Sequence, residues 1–419
     1  MNARLPVQRE RMEHQRKPHY RWLILAVATW SQASATLVTY GVGPLAAIWQ
    51  NQWSLNASQA GLLVSAVQIG PLLSMLFIGH ALDRHGERWL IGLGSCLLGL
   101  TFLLVSFTTH YGLLMLLLVI VGIWYGTAQP GGSRVVLRWF SEQERGLAMG
   151  IRQAGIPVGG AIGGALLPYL SLHFGWQTAV FTQAAFAVAG GLLFLVLYRD
   201  PPGSRHGRQT DKSSFTQKMM TIAKNKKTSP ILFTGITLIS LQMVLVGHLM
   251  IFFSHETEAG LVISGQLLAT ALMFGMAGRI VLAYISDKWW EGNREDPLHL
   301  CVWASVIGVS VLAFTPASLA VWALFVLSAW LGFFGIGWFS LFLLAVAEHA
   351  PPQAEGLMVS YALTLNQAAI ILAPTIFGFI VDVQSYSVAW SVLNVLLIGN
   401  GLLLLKRRRG RSKTAEGRE

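Results

Sequence analysis

Long apolar runs separated by short polar connectors set the organisation of the chain. The runs lie at about 21–49, 59–82, 89–108, 111–140, 146–172, 176–198, 230–253, 262–286, 298–314, 317–347, 355–381 and 385–405, and runs of roughly 20 residues are what a helix needs to cross a hydrocarbon core about 30 Å thick. The pattern predicts an all-α membrane protein with twelve transmembrane helices. One polar stretch is long, "RDPPGSRHGRQTDKSSFTQKMMTIAKNKK" at 199–227, and it divides the runs six and six. The chain then reads as a basic arm (1–20), a six-helix half (21–198), a linker (199–229), a second six-helix half (230–405) and a basic tail (406–419). The Pro, Gly, Ser and Lys content of the linker predicts a flexible start followed by a basic piece at the membrane surface.

Composition agrees, with 53% hydrophobic and 12% charged residues and a mean hydropathy of +0.54, where a soluble domain carries about 25% charged residues. A net charge of +11 in a soluble chain would suggest nucleic acid as partner. Here the positions decide otherwise. Of the 30 Lys and Arg residues, 27 fall in the arm with the adjoining Arg21, the linker, the tail and the connectors at 83–88, 138–145 and 288–294, all on one side of the twelve-span pattern. The connectors on the other side ("QNQWSLNAS", "THY", "HFG", "SHETEAG", "TPA", "DVQS") hold none. Basic loops stay cytoplasmic, so both termini are expected there, with the lipid bilayer rather than a nucleic acid as surroundings. The "ASA" at 33–35 faintly resembles a signal cleavage site, but the apolar run around it is too long for a signal h-region and reads as a retained first span. Cys96 and Cys301 sit in apolar runs and indicate neither a disulfide framework nor a metal site.

The halves echo each other. In "GHALDRHGER" (79–88) and "GRIVLAYISDK" (278–288), Gly79, Asp83 and Arg84 correspond to Ala283, Asp287 and Lys288 at an offset of 204, and "RGLAMG" (145–150) corresponds to "EGLMVS" (355–360) at an offset of 210. Two weak matches at nearly one offset predict a pseudo-repeat. Parallel six-helix halves around a central substrate site are an architecture of secondary transporters.

On these residues the chain resembles the major facilitator superfamily over essentially its whole length. The family signature between spans two and three, G-x-x-x-D-R-x-G-R-R, is matched by Gly79, Asp83, Arg84, Gly86 and Arg88, while Glu87 puts an acid where the family has a base. The segment "WFSEQERGLAMGIRQAGIPVGGAIGGALLP" (139–168) is similar to the span four to five region of organic-anion and cyanate-type porters, and Arg279 in "GRIVLA" resembles the span-eight arginine of monocarboxylate porters. An arginine common in the outer part of span four is absent, Leu118 standing there ahead of Gly122. The resemblance implies a secondary active transporter working by alternating access, a monomer in a bacterial plasma membrane, with a small-molecule substrate, no enzymatic activity and no cofactor. It also implies a gating role for Gly79, Asp83, Arg84, Gly86, Arg88, Asp287 and Lys288, to which Arg134 is added as a partner of Asp83 or Glu144.

Three arginines fall inside spans. At about 1.5 Å per residue, Arg134, Arg152 and Arg279 lie roughly 9, 10 and 12 Å inward of Phe140, Arg145 and Asp287. Burying them costs on the order of 8–10 kcal/mol together unless each meets a partner or a wet cavity. Every Asp and Glu, by contrast, lies in a tail, a connector or close to a span end. Embedded cations without embedded anions favour a negatively charged substrate, which a guanidinium binds through its bidentate fork. Arg279 and Arg152 are therefore candidate substrate residues, each with a structural role among backbone and connector groups as the alternative. Polar and aromatic groups inside spans tend to face the bundle interior, which adds Tyr40, Tyr125, Gln129, Gln242, Trp338, Asn366 and Gln367. His248, in "LVGHLMIFF", is either a proton carrier, by its ordinary titration range, or a core group bonded to a neighbouring helix.

Glycines 155, 159 and 163 repeat every four residues and predict close packing on one helix face; Pro130, Pro157 and Pro374 predict kinks. No nucleophile–base–orienter set or metal-ligand spacing stands within the spans, which argues against an enzyme. Three readings stay open: a transporter of a small organic anion, proton-coupled through His248; as the alternative, an exporter of neutral or cationic small molecules in the same fold; and, third, a membrane-embedded enzyme or a transporter-like sensor.

Overall fold

The computed structural model describes residues 18–55, 57–201, 215–224, 228–351 and 354–416. Nearly all of the basic arm, the greater part of the linker and the last three residues of the tail lie outside them. Among the described residues there are fifteen α-helices and no strand: α1 (Pro18–Gln52), α2 (Ala57–His85), α3 (Glu87–Val105), α4 (Tyr111–Tyr125), α5 (Ala128–Trp139), α6 (Arg145–Phe174), α7 (Trp176–Leu197), α8 (Phe215–Lys224), α9 (Ser229–Glu256), α10 (Gly260–Trp289), α11 (Glu295–Ala313), α12 (Val321–Gly335), α13 (Phe339–Glu348), α14 (Glu355–Val383) and α15 (Tyr386–Glu416). Twelve stretches are long and apolar enough to cross a membrane, with α4 and α5 forming one and α12 and α13 another. Their bounds fall within a few residues of the apolar runs.

Two expectations are refined. Spans four and ten are not continuous helices: a turn follows Tyr125 in one and Gly335 in the other, positions 210 residues apart. Pro130 lies in the first turn of α5, where a missing N–H leaves no bond unmade, whereas Pro157 and Pro374 lie inside helices that run on through them. The charged connector "GHALDRHGER" is almost wholly helical, its first seven residues ending α2 and its last two opening α3. Gly86 alone makes the turn, with φ of 79°, a backbone setting that side chains disfavour.

Contacts divide the chain into two compact units, the first comprising 1–220 with 350–364 and the second 221–349 with 365–419. In the first unit the core is a continuous apolar cluster from α1, α2, α3, α4, α6 and α7, including Val38, Leu45, Trp49, Leu63, Phe102, Leu118 and Leu167. The second buries Leu238, Leu245, Leu267, Val302, Leu331 and the run Leu341–Val346 of α13. Large apolar side chains left outward, among them Phe77, Leu104, Val196, Trp322, Val326 and Phe379, form the surface expected of helices facing lipid rather than water.

The internal repeat is visible in the packing. In the first unit Gly122 of α4 rests on the backbone of α2 at Val67; in the second Gly332 of α12 rests on α10 at Ala271. These pairs are related by the offsets 210 and 204 found in the sequence. The glycine ladder of α6 likewise packs on α1, Gly155 against Thr29 and Gly159 against Ala33. A methyl group at Gly122 or Gly332 would collide with a carbonyl oxygen, whereas one at Gly399 meets nothing within 4 Å. Gly122→Ala and Gly332→Ala are expected to lower the thermal unfolding temperature of the detergent-purified protein, while Gly399→Ala leaves it unchanged or raises it, since alanine is the better helix former by about 1 kcal/mol. Equal tolerance at all three sites would show that the close approach is not needed.

Candidate functional site

The charged residues gather into one brace in each unit. In the first, Glu87 opens α3 and is fully buried. Its carboxylate accepts from Arg138 at 2.9 and 3.3 Å and from the Tyr198 hydroxyl at 3.3 Å, and it pairs with Arg134 Nε at 3.1 Å. Burial, with the Glu87 charge beside it, pushes the Tyr198 phenol up, which keeps it a neutral donor. Arg134 also pairs with Asp83 at 3.3 Å and donates to the Leu82 carbonyl. Of its two expected partners the structure therefore shows Asp83; Glu144 is instead held by both guanidinium nitrogens of Arg21, at 2.6 and 2.8 Å.

Asp83 has a second task. Its two carboxylate oxygens accept the backbone N–H groups of Gly356 and Leu357, each at 3.0 Å, in the first turn of α14. They satisfy two of the four donors that a helix start leaves open, and place a negative charge where the helix dipole favours one. Gly79 faces Ser360 and the Gly356 carbonyl of the same segment, with no room for a side chain. Arg88 donates to the Leu195 carbonyl at 2.8 Å, closing the end of α7. Arg84 is exposed.

The second unit builds its brace with the opposite polarity. Arg294, just before α11, is buried and meets Asp287 at 2.6 Å, Glu348 at 3.5 Å and the Ser286 hydroxyl at 3.0 Å. Arg138 and Glu348, near the ends of α5 and α13, are 210 residues apart. Where the first unit has an acid opening span three and a base closing span four, the second has a base before span nine and an acid closing span ten. This accounts for Glu87, the acid that departs from the signature: it is matched by Arg138. Lys288 is exposed and lies over the Tyr284 ring at 6.0 Å.

Away from these ends, each remaining embedded arginine stands beside one of the two span interruptions. Arg152 is fully buried. Its Nη2 donates to Gln32 Oε1 at 2.7 Å and to the carbonyl of Ala128, first residue after the turn in span four, at 2.6 Å; Nη1 reaches Ser133 at 3.5 Å. Gly132 leaves the space in which the guanidinium lies. Gln32 donates in turn to Thr36 at 3.1 Å and to the Tyr125 hydroxyl at 3.4 Å, and Gln153 donates to Gln129 at 3.5 Å. The expected residues Arg152, Tyr125 and Gln129 thus share one buried network with Gln32, Ser133 and Gln153. The last three escaped the sequence reading, although each is a polar residue inside an apolar run. Tyr40 is 48% exposed on α1 beside Gly160.

In the second unit Arg279 is buried on α10, its guanidinium 5.5 Å from the ring of Phe339, first residue after the turn in span ten. Trp338, within that turn, is fully buried and packs on Phe339 and Phe342 at 5.3 Å each. Gln242, Asn366 and Gln367 are buried on α9 and α14. His248 is half-buried, its Nε2 3.0 Å from the Pro374 carbonyl and its ring against Phe377, so the bond to a neighbouring helix is present. No cluster of three or more His, Cys, Asp or Glu suited to a metal ion occurs among the described residues.

The major facilitator superfamily model matches residues 28–374. The chain belongs to that superfamily. It is a secondary transporter and a multi-pass plasma membrane protein, not an enzyme. It is similar to an uncharacterized MFS-type transporter of Mycobacterium tuberculosis (26% identical over 384 residues, 90% of this chain and 82% of the other). It also resembles the membrane sensor protein UhpC of Escherichia coli (25% over 380 residues, 84% of each chain) and the hexuronate transporter of Bacillus subtilis (21% over 351 residues, 80% and 81%). Among solved structures, the fucose:proton symporter FucP of Escherichia coli superposes with a TM-score of 0.73 at 14% identity, over 93% of this chain and 98% of that one, a likeness of fold. As a superfamily member the chain fits the signature everywhere but at Glu87, and the geometry there is testable. Glu87→Gln takes a carboxylate from Arg134, which is buried, and from Arg138, which is partly so, and is expected to cost about 3 kcal/mol, seen as a lower unfolding temperature in detergent. Adding Arg138→Gln should recover part of that loss, because Arg134 keeps Asp83. A double variant as unstable as the sum of the single ones would rule out the pairing.

Proposed function

We propose that this transporter carries a small organic anion of carboxylate type, by alternating access, with its charged braces on the cytoplasmic side. The observation that carries the reading is the placement of Arg152 and Arg279. Each stands beside the interruption of its unit's span four or ten, deep in an apolar stretch, while the acids of the chain lie at span ends. Short or interrupted segments at corresponding places in the two halves of a transporter mark the substrate region. Arginines there attract and orient an oxyanion. The relative named for hexuronate handles a carboxylate, which supports the same reading. An exporter of cationic compounds is disfavoured by the lack of an acid in the span interiors.

Within this proposal Arg279 is the direct anchor and His248, held at Pro374, is the group that couples a proton. Labelled carboxylates are expected to accumulate in proteoliposomes under an inward proton gradient. A charge-assisted bidentate contact is worth about 1.5–3 kcal/mol, so Arg279→Ala should weaken uptake affinity about 10- to 100-fold. Arg279→Lys, which keeps charge but not the fork, should fall between. His248→Asn should still bind and exchange substrate but lose gradient-driven accumulation. Uptake unchanged in Arg279→Ala would remove the proposed anchor, and dye resistance in an expressing strain would favour the exporter.

A further inference from the structure

Two asparagines are buried in the second unit, and they differ in one respect. Asn400 is fully buried on α15; its amide donates to Thr237 at 2.8 Å and accepts from Thr234 at 3.1 Å. It is a satisfied core residue. Asn366, on α14, is 1% exposed, yet neither its Nδ2 nor its Oδ1 has a hydrogen-bond partner. Among the described residues it is the one side-chain amide with both its nitrogen and its oxygen stranded in this way. Buried polar atoms left unpaired are costly and rare, so an amide kept in this condition calls for a partner that the chain itself does not supply.

Its surroundings show what kind. Gly235 of α9 leaves a notch, and the Asn366 carbonyl oxygen lies 3.0 Å from where a β-carbon would stand there, next to the Phe342 ring. Phe342 packs on Trp338 and on Phe339, whose ring in turn carries Arg279. The Trp338 indole N–H and the Gln242 carbonyl oxygen are likewise buried without a hydrogen-bond partner, and Gln242 lies two turns along α9 from Gly235, on the same face. The stranded amide of Asn366 thus lies by Phe342, one end of an aromatic cluster that includes Trp338 and reaches the Arg279 guanidinium through Phe339. The polar network around Arg152 in the first unit has no such stranded amide pair.

We propose that Asn366, with Trp338 and Gln242, forms a hydroxyl-binding subsite beside Arg279, so that the cargo is a hydroxylated organic acid rather than a plain carboxylate. A hydroxyl both donates and accepts and can serve the two atoms of the Asn366 amide at once. The carboxylate goes to Arg279, and the carbon skeleton lies on Phe339 and Phe342. A site built to hydrogen-bond a substrate strongly rejects the analogue lacking that group, because its own polar atoms are then left unpaired. This inference rests on the anion-transport reading above, which its test separates from it.

Gluconate and hexanoate have the same carbon count and differ in their hydroxyls. Binding of each to the purified full-length protein is measured by calorimetry. Gluconate is expected to bind at least about 10-fold more tightly than hexanoate. Asn366→Leu, similar in volume and apolar, should abolish that preference by weakening gluconate far more than hexanoate. The same variant should unfold at no lower a temperature than the parent, since it removes a stranded amide, whereas Asn400→Leu should unfold lower, since it removes the two hydrogen bonds that tie α15 to α9. Absence of the preference in the parent, its survival in Asn366→Leu, or destabilisation of Asn366→Leu as large as that of Asn400→Leu overturns the subsite and leaves the anion reading intact. Failure of both acids to bind, with labelled carboxylates not taken up either, overturns the anion reading itself.

Discussion

Hydrocarbon offers no hydrogen-bond partner, and that single constraint orders this structure. In water a charge at a helix end is a minor matter; at a membrane span end it must be paired, or sit where it reaches the surface. Glu87 and Arg294 show the consequence. Each is buried at the start of a span, and each is surrounded by opposite charges drawn from neighbouring helices. Such an arrangement adds little net stability over an apolar one, but breaking one partner is severe. The braces therefore act as registry devices: a helix shifted along its axis strands a charge. Asp83 extends the principle to the backbone, its carboxylate taking up N–H groups at the start of α14 that would otherwise have no acceptor.

The comparison of the two units separates what the architecture requires from what it leaves free. Both place a glycine of span four or ten on the backbone of span two or eight, and both interrupt that span at corresponding positions. These are steric and backbone features, and an exchange of sign cannot substitute for them. The braces have exchanged sign. An acid opening span three and a base closing span four do the work of a base before span nine and an acid closing span ten. The requirement lies in the pairing, not in which helix carries which charge. For the same reason a signature that fixes a base at one position can be broken at Glu87 without breaking the brace.

Spans, their number and the clustering of charge were legible in the sequence because each follows from the transfer free energy of residues taken nearly one at a time. The repeat was legible at "GHALDRHGER" and "RGLAMG", where spacing survives even though most identities do not. The brace at Glu87 was not, because it depends on Arg138, 51 residues away, and on Tyr198 beyond that. Nor were the interruptions of spans four and ten. Gly126–Thr127 and Gly335–Gly337 resemble the many glycines that sit inside unbroken helices here, such as those of α6. The candidate site was half legible: Arg152, Tyr125, Gln129, Arg279, Trp338 and Asn366 stand out as polar or aromatic residues in apolar runs. Which of them are already engaged within the chain is a property of the folded state alone.

Arg152 is a case of such engagement. Arg152 is committed to Gln32, Ser133 and the Ala128 carbonyl. To grip a substrate directly it would have to give up bonds worth about 1.5–3 kcal/mol each. The partners of its two Nη groups are all neutral, however, so they do not cancel its charge. A unit charge acts on an anion about 10 Å away with roughly 1.7 kcal/mol at an effective dielectric constant near 20, a useful attraction that needs no contact. On the proposed reading Arg152 acts on a small anion through its field and keeps its bonds to Gln32, Ser133 and the Ala128 carbonyl.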